Sequence, residues 1–250
     1  MEPPVVVKDL NKSFGKQAVL KAINLEVAEG ETVAVLGKSG GGKSVLLKLI
    51  VGLQPADGGS IKLQGKEVGR LPRAELNEVR KKTGFLFQQA ALYDSLTVED
   101  NVAFPLERHT QMPENERKQK ARELLKSVGM EQDFAKMPSE ISGGMQKRVG
   151  LARALALDPG VLLFDEPTAG LDPITAGEIA DLIVHLKEQK KRAAIVVTHD
   201  IHSARIFADR LVLLQEGSIK AQGSFGDLQK NEDPFVVSFL KQSCAAEKGG

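Results

Sequence analysis

The chain has 250 residues and a formal net charge of +1, so no general basic field draws it to nucleic acid. With no tryptophan and one tyrosine it also offers little for bases to stack on. The lone cysteine, Cys244, allows no intrachain disulfide and fits a reducing compartment. Met1-Glu2-Pro3-Pro4 does not read as a signal peptide. No apolar run approaches the ~20 residues needed to span a bilayer, so a membrane role would come through a partner.

Val5-Val6-Val7 opens a strand, and Leu10 to Gly15 follows it. A turn at Phe14-Gly15-Lys16 leads to Val19-Leu20 and to the alternating strand Ile23 to Val27. This start reads as a small antiparallel sheet. Phe14 offers a face for an adenine to stack on, or is a plain core aromatic.

Thr32-Val33-Ala34-Val35-Leu36 suits a buried strand. After it comes Gly37-Lys38-Ser39-Gly40-Gly41-Gly42-Lys43-Ser44, which reads as G-x-x-x-x-G-K-[ST], and then a mostly apolar stretch to Ile50 that can be helical. Strand, glycine loop and helix together make a P-loop. Glycines let the backbone curl round an anion. The curled N–H groups form a nest, and the helix N-terminus adds positive potential. Lys43 supplies a point charge for the β- and γ-phosphates, and Ser44 a hydroxyl for Mg²⁺.

Asp57-Gly58-Gly59 turns into a short strand, Ser60 to Leu63, and Arg70 to Lys82 reads as a solvated helix. Gly84 to Phe87 is a buried strand with Gln88 at its carboxyl end. Ligands of parallel α/β sheets sit there, so the amide of Gln88 is placed to touch Mg²⁺ or water, or is a simple loop residue. From Ala90 to Pro159 the strand signal stops, punctuated by Pro105, Pro113 and Pro138. Ala121, Leu124, Leu125 and Val128 mark an amphipathic helix. Ser142-Gly143-Gly144 opens another helix, with Met145, Val149, Ala152 and Ala156 on one face. Hydroxyl, free amides and helix dipole make a second anion surface, or Ser142 is a cap on a hinge.

Val161 to Phe164 runs into Asp165-Glu166. Charge burial is unfavourable, so paired acids ending an apolar strand point to chemistry. Asp165 would orient the Mg²⁺ shell, and Glu166 would polarise the water attacking the γ-phosphate. Asp172 fits an N-cap with Pro173 at the first helical position, and Ile179, Leu182, Ile183 and Leu186 mark that helix's buried face. Ala194 to Val197 is a strand carrying His199 at its end, where an imidazole can hydrogen-bond a γ-phosphate. His109, His185 and His202 lack that placement. Leu211–Leu214 and Ser218–Ala221 form a hairpin, and beyond Gly223 the chain is helical, then polar.

P-loop, Gln88, Ser142-Gly143-Gly144, Asp165-Glu166, Asp172 and His199, in that order, resemble the ATPase subunit of an ABC transporter from about Val5 to Gly223. The resemblance implies an α/β P-loop NTPase with a RecA-like core, an antiparallel β subdomain and an inserted helical subdomain. The expected division is 1–89 with 159–225 for the core, 90–158 for the helical part, and 226–250 for a C-terminal helix and tail. It implies ATP and Mg²⁺ as cofactors. Lys43, Gln88, Glu166 and His199 would be catalytic, and Ser44, Gln88 and Asp165 would face the metal. Phe14, the loop from Gly37 to Ser44, Ser142, Gly143, Gly144 and Asp172 would bind nucleotide. A head-to-tail dimer is implied, with ATP between the P-loop of one copy and Ser142 of the other. The usual signature Leu-Ser-Gly-Gly-Gln is Ile141-Ser142-Gly143-Gly144-Met145 here, and Met145 cannot donate an amide hydrogen bond. This variant, with Lys147-Arg148-Val149, Leu171-Asp172-Pro173-Ile174-Thr175 and the stretch from Gln88 to Leu106, is similar to the branch serving MCE-domain lipid transport, which includes the maintenance-of-lipid-asymmetry (Mla) system. That implies a peripheral ATPase on the cytoplasmic face of the inner membrane. Its implied partners are an integral membrane permease, an MCE-domain lipid-binding protein and a STAS-domain regulatory subunit. The alternative is the ATPase of an amino-acid-type importer. A soluble ATPase acting on DNA or ribosomes is disfavoured, since the long coiled coil or second cassette of such proteins is missing.

Overall fold

The computed structural model describes residues 2–245; Met1 and the polar end of the tail, residues 246–250, lie outside them. The first third holds β1 (Val5–Phe14), β2 (Gln17–Val27), β3 (Thr32–Leu36), α1 (Lys43–Ile50), β4 (Gly58–Leu63), β5 (Lys66–Glu67), α2 (Arg73–Lys81) and β6 (Thr83–Leu86). Then come α3 (Val98–His109), α4 (Glu114–Ser127) and α5 (Gly143–Leu155). The last third holds β7 (Val161–Asp165), α6 (Pro173–Glu188), β8 (Ala193–Thr198), α7 (Ile201–Phe207), β9 (Arg210–Gln215), β10 (Ser218–Gly223), α8 (Phe225–Gln229) and α9 (Pro234–Ala245).

Unbroken apolar runs fold as parallel strands buried on both faces. β3, β7 and β8 are buried at every position and occupy the middle of a sheet ordered β10-β9-β3-β8-β7-β6. All neighbours are parallel except the hairpin partner β10. An antiparallel sheet, β2-β1-β4-β5, lies beside it. Leu36 pairs with Thr198, Asp165 with Val197, and Leu86 with Phe164. Continuing that register puts Leu36, Thr198, Glu166 and Gln88 on one row at the carboxyl edge, so the loops after four strands leave from the same line.

Successive strand residues face opposite sides. Ala34, Leu36, Leu162, Phe164, Ala194 and Val196 join the core shared with the helical stretch, while Val33, Val35, Leu163, Ile195 and Val197 join the core under α1 and the small sheet. Burying each large aliphatic of α1, such as Leu46 or Leu47, contributes about 1.5–3 kcal/mol. Pro105 lies within α3, which packs on α4 and α5. The α5 face expected from Met145, Val149, Ala152 and Ala156 is only part of what α5 buries. Gly144, Lys147, Gly150, Leu151 and Leu155 are buried too, because the helix is wedged between β6 and its helical neighbours. Among the described residues no helix is long and apolar enough to cross a membrane.

Two glycines set how closely α5 approaches β6. A Cβ on Gly84 would stand 2.5 Å from the Ala154 carbonyl oxygen, and one on Gly150 would stand 2.6 Å from Leu86 Cδ1. Gly84→Ala is therefore expected to destabilise the chain by about 1–3 kcal/mol, read as a lower urea midpoint. An unchanged midpoint would show that α5 is not seated this tightly.

Candidate active site

The P-loop lies flush against its neighbours. Gly40 and Gly42 have φ of +77° and +93°, a region open to glycine at little cost. A Cβ on Gly42 would sit 2.9 Å from Leu20 Cδ2, and one on Gly37 would sit 2.6 Å from the Leu214 carbonyl oxygen. The loop thus has no room for side chains at these points, and within it the Gly41 N–H donates to the Lys38 carbonyl at 3.1 Å. Lys43 is 5% exposed. Its Nζ donates to the carbonyls of Gly37 (2.9 Å) and Lys38 (3.2 Å) and lies 3.4 Å from Glu166 Oε1.

Ser44 Oγ donates to Asp165 Oδ1 at 2.7 Å. Burial pushes the Asp165 carboxyl above its ordinary range; the Ser44 hydrogen bond opposes this, and the neighbouring Glu166 charge adds to it. A buried carboxylate beside a hydroxyl is a pair of hard oxygens short of positive charge. That donor set fits Mg²⁺, which takes one or two protein oxygens and completes its shell with water and phosphate. Among the described residues no cluster of three or more His, Cys, Asp or Glu could hold a metal by itself.

Glu166 sits in the left-handed region, φ +48°, where a residue with a Cβ is strained. Its surroundings hold it there. Its N–H donates to the Val197 carbonyl at 2.8 Å, and its carbonyl accepts from Lys147 Nζ at 3.0 Å. Its Oε2 lies 2.9 Å from His199 Nδ1 and accepts from the His199 N–H at 3.3 Å. Half of the His199 side chain is exposed, whereas that of Glu166 is buried.

Phe14, Gly41, Lys43, Ser44, Gln88 and Glu166 line a single cleft of about 380 Å³. Phe14 is 47% exposed, so it is not a core aromatic, and Lys12 Nζ stands 5.4 Å from its ring centroid. Asp165, His199, Gly37 and Lys38 adjoin that lining through Ser44, Glu166 and Lys43, whereas Ser142, Gly143, Gly144 and Asp172 lie outside it. Ser142 caps α5, accepting from the Met145 N–H at 3.3 Å. A Cβ on Gly144 would stand 2.6 Å from Thr175 Cγ2. Asp172 caps α6, accepting from the N–H groups of Ile174 and Thr175 at 3.1 Å each. The serine-cap and anion-surface readings of Ser142 are therefore compatible, since the cap leaves the hydroxyl on an exposed helix start.

Three side chains hold main chain around this edge in a role that the sequence reading did not assign them. Lys147 donates to the carbonyls of Gln88 and Glu166. Arg153 donates to those of Ala90 and Ala91. Asn101 Nδ2 donates to the carbonyls of Tyr93, Leu96 and Thr97. One signal was available: Gly144, Lys147, Leu151 and Leu155 recur at helical spacing, and a lysine on such a stripe is marked for burial.

A sequence model of the family described as "ABC transporter" matches residues 20–169, more than half of the chain. The intermembrane phospholipid transport system ATP-binding protein MlaF of Haemophilus influenzae is 42% identical over 95% of this chain and 90% of its own length. The probable ribonucleotide transport ATP-binding protein mkl of Mycobacterium leprae is 40% identical over 94% of this chain and 68% of its own. A solved dimer of the ATP-binding cassette MJ0796, in a post-hydrolysis state with ADP and Pi, superposes with a TM-score of 0.81 at 38% identity, covering 88% of this chain and 98% of that one. With the P-loop, Ser44 and Glu166 lining one cleft and Asp165 bound to Ser44 behind it, the chain belongs to the ABC transporter family, as one of its ATP-hydrolysing subunits.

Proposed function

We propose that this chain powers phospholipid movement through a separate membrane permease. The observation that carries the enzymatic half is the gathering of Lys43, Ser44, Asp165, Glu166, Gln88 and His199 at one sheet edge. The loop amides and Lys43 would take the phosphates, and Phe14 would stack on adenine. Glu166 would orient and polarise the attacking water, with His199 holding its Oε2 and reaching toward the γ-phosphate. Ser44 and Asp165, with Gln88 near them, would hold Mg²⁺, which when bound neutralises charge on the phosphates. The buried Asp165 is ready for such a charge.

Ser142, Gly143, Gly144 and Asp172 do not line this cleft, and they make sense in a head-to-tail pair. There the exposed α5 start of one copy would close over the nucleotide of the other. The division into a core (1–89 with 159–225), a helical part (90–158) and a C-terminal segment (226–250) then gives each piece a task. Between core and helical part runs an aromatic cleft lined by Phe85, Phe87, Tyr93, Phe104, Pro105 and His109, which suits a permease segment. Such docking would hold the chain at the inner face of the membrane. The phospholipid cargo rests on the 42% identity to a phospholipid-transport ATPase and on the Ser-Gly-Gly-Met signature. An MCE-domain protein and a STAS-domain subunit complete the assembly.

Glu166→Gln should keep ATP binding and lower hydrolysis at least ~10²-fold; near-normal turnover would refute the role of Glu166. The dimer is tested by mixing inactive chains. Lys43→Ala and Ser142→Arg should each be inactive alone. An equal mixture should recover about a quarter of wild-type activity, because half the pairs carry one intact site; heterodimers that form and stay inactive would exclude the shared site. Cargo is tested by purifying the tagged chain gently from its own membranes and identifying its companions by mass spectrometry. A permease with an MCE-domain protein is expected. A permease with a ribonucleotide or amino-acid receptor would overturn the lipid assignment while leaving the ATPase untouched.

A further inference from the structure

Lys147 is 5% exposed and sits on the buried stripe of α5 with Gly144, Leu151 and Leu155. An apolar residue would pack there without desolvating a charge. Burial pushes its ammonium below the ordinary lysine range, while the Asp165 and Glu166 charges favour the charged form. A lysine persists in such a place when its donors are used. Here they are used on main chain: Nζ donates to the carbonyl of Gln88 and, at 3.0 Å, to the carbonyl of Glu166.

Two loops from different strands thus meet on one cation. Arg153, farther along the same helix, adds to this. Its guanidinium donates to the carbonyls of Ala91 at 2.7 Å and Ala90 at 2.5 Å. Ala90, Ala91 and Glu166 all have left-handed backbones, with φ of +57°, +49° and +48°. Each of these three strained residues has its carbonyl held by a cation of α5. The same helix begins at Ser142 and Gly143. α5 therefore connects the exposed signature, the loop after β6 and the backbone of Glu166 in one rigid piece.

We infer that Lys147 is a positioning residue for hydrolysis: it sets Glu166 through its main chain and ties the Gln88 loop to the same point, so that a shift of α5 moves both together. This rests on Glu166 being the water-polarising group. Lys147 acts through the two carbonyls it holds. A small displacement of a positioned carboxylate lowers turnover far more than it lowers ground-state binding.

The test is a split between binding and turnover in the full chain. In Lys147→Met, affinity for a fluorescent ATP analogue should stay within about threefold of wild type, while kcat falls about tenfold or more. Lys147→Arg, which keeps donors at that depth, should recover most of the rate. A folded Lys147→Met with kcat within about twofold of wild type would overturn the inference. So would Lys147→Arg being as impaired as Lys147→Met, since packing and not donation would then be at stake. If Lys147→Met does not fold, Lys147→Ala, which also lacks donors, against Lys147→Arg reads the same split, and equal rates in those two would overturn it. Glu166→Gln run alongside separates the two levels. Its retaining turnover sinks the role of Glu166 itself, whereas its inactivity beside a normal Lys147→Met sinks only the role of Lys147.

Discussion

The site depends on the in-register parallel pairing of β3, β8, β7 and β6. Parallel strands end on the same side, so whatever follows them is delivered to one edge. Because the pairs are aligned, the delivery is level: Leu36, Thr198, Glu166 and Gln88 fall on one row. A slip of one residue would turn a whole strand's side chains to the opposite face. Both cores oppose such a slip, since Leu162 and Phe164 belong to one and Leu163 to the other. The hydrophobic contacts far from the cleft are therefore what fix the distances inside it.

The cleft itself is built against stability. Lys43, Lys147, Asp165 and Glu166 are all buried, and charges in such places are unfavourable unless matched. Lys43 and Glu166 match each other at 3.4 Å; Asp165 has the Ser44 hydroxyl, and the Lys48 and Lys43 charges offset its burial only in part. The upward shift of Asp165 means the folded state holds a proton on it more readily than the unfolded chain does. Its contribution is thus fully present at low pH and is lost as pH rises through the shifted value. A site that tolerates an under-compensated carboxylate near neutrality is one prepared for a cation, and the strain at Glu166 belongs to the same pattern.

Much of this was legible in the chain. The apolar runs at Thr32–Leu36, Val161–Phe164 and Ala194–Val197 announce buried strands, and the P-loop spacing leaves little choice for Lys43 and Ser44. The N-cap role of Asp172 followed from Pro173 beside it. Legibility failed where a side chain serves backbone. The roles of Lys147 and Arg153 are not readable from the chain, because the carbonyls they hold belong to residues some 20 to 60 positions away and carry no sequence mark. The partners of Asn101 are local, four to eight residues back, but main-chain carbonyls carry no sequence mark either. Phe14 could not be assigned between core and surface until β1 and β2 were seen to leave it half-exposed.

The sheet order carries a further consequence for how the chain comes into being. β3 is complete by Leu36, yet its neighbours on both sides, β8 and β9, begin at Ala193 and Arg210. At a synthesis rate of about 5–20 residues per second, the strand bearing the P-loop waits roughly 8–30 s for its first partner. During that time it has two open apolar edges, the kind of surface on which strands from other chains add. The β9–β10 hairpin also braces the first sheet, with the Lys21 N–H donating to the Gly217 carbonyl at 2.8 Å. The sheet that carries the P-loop is thus completed only when β8 and β9 have been made, and the longest exposure on the ribosome falls to the strand that leads into the P-loop.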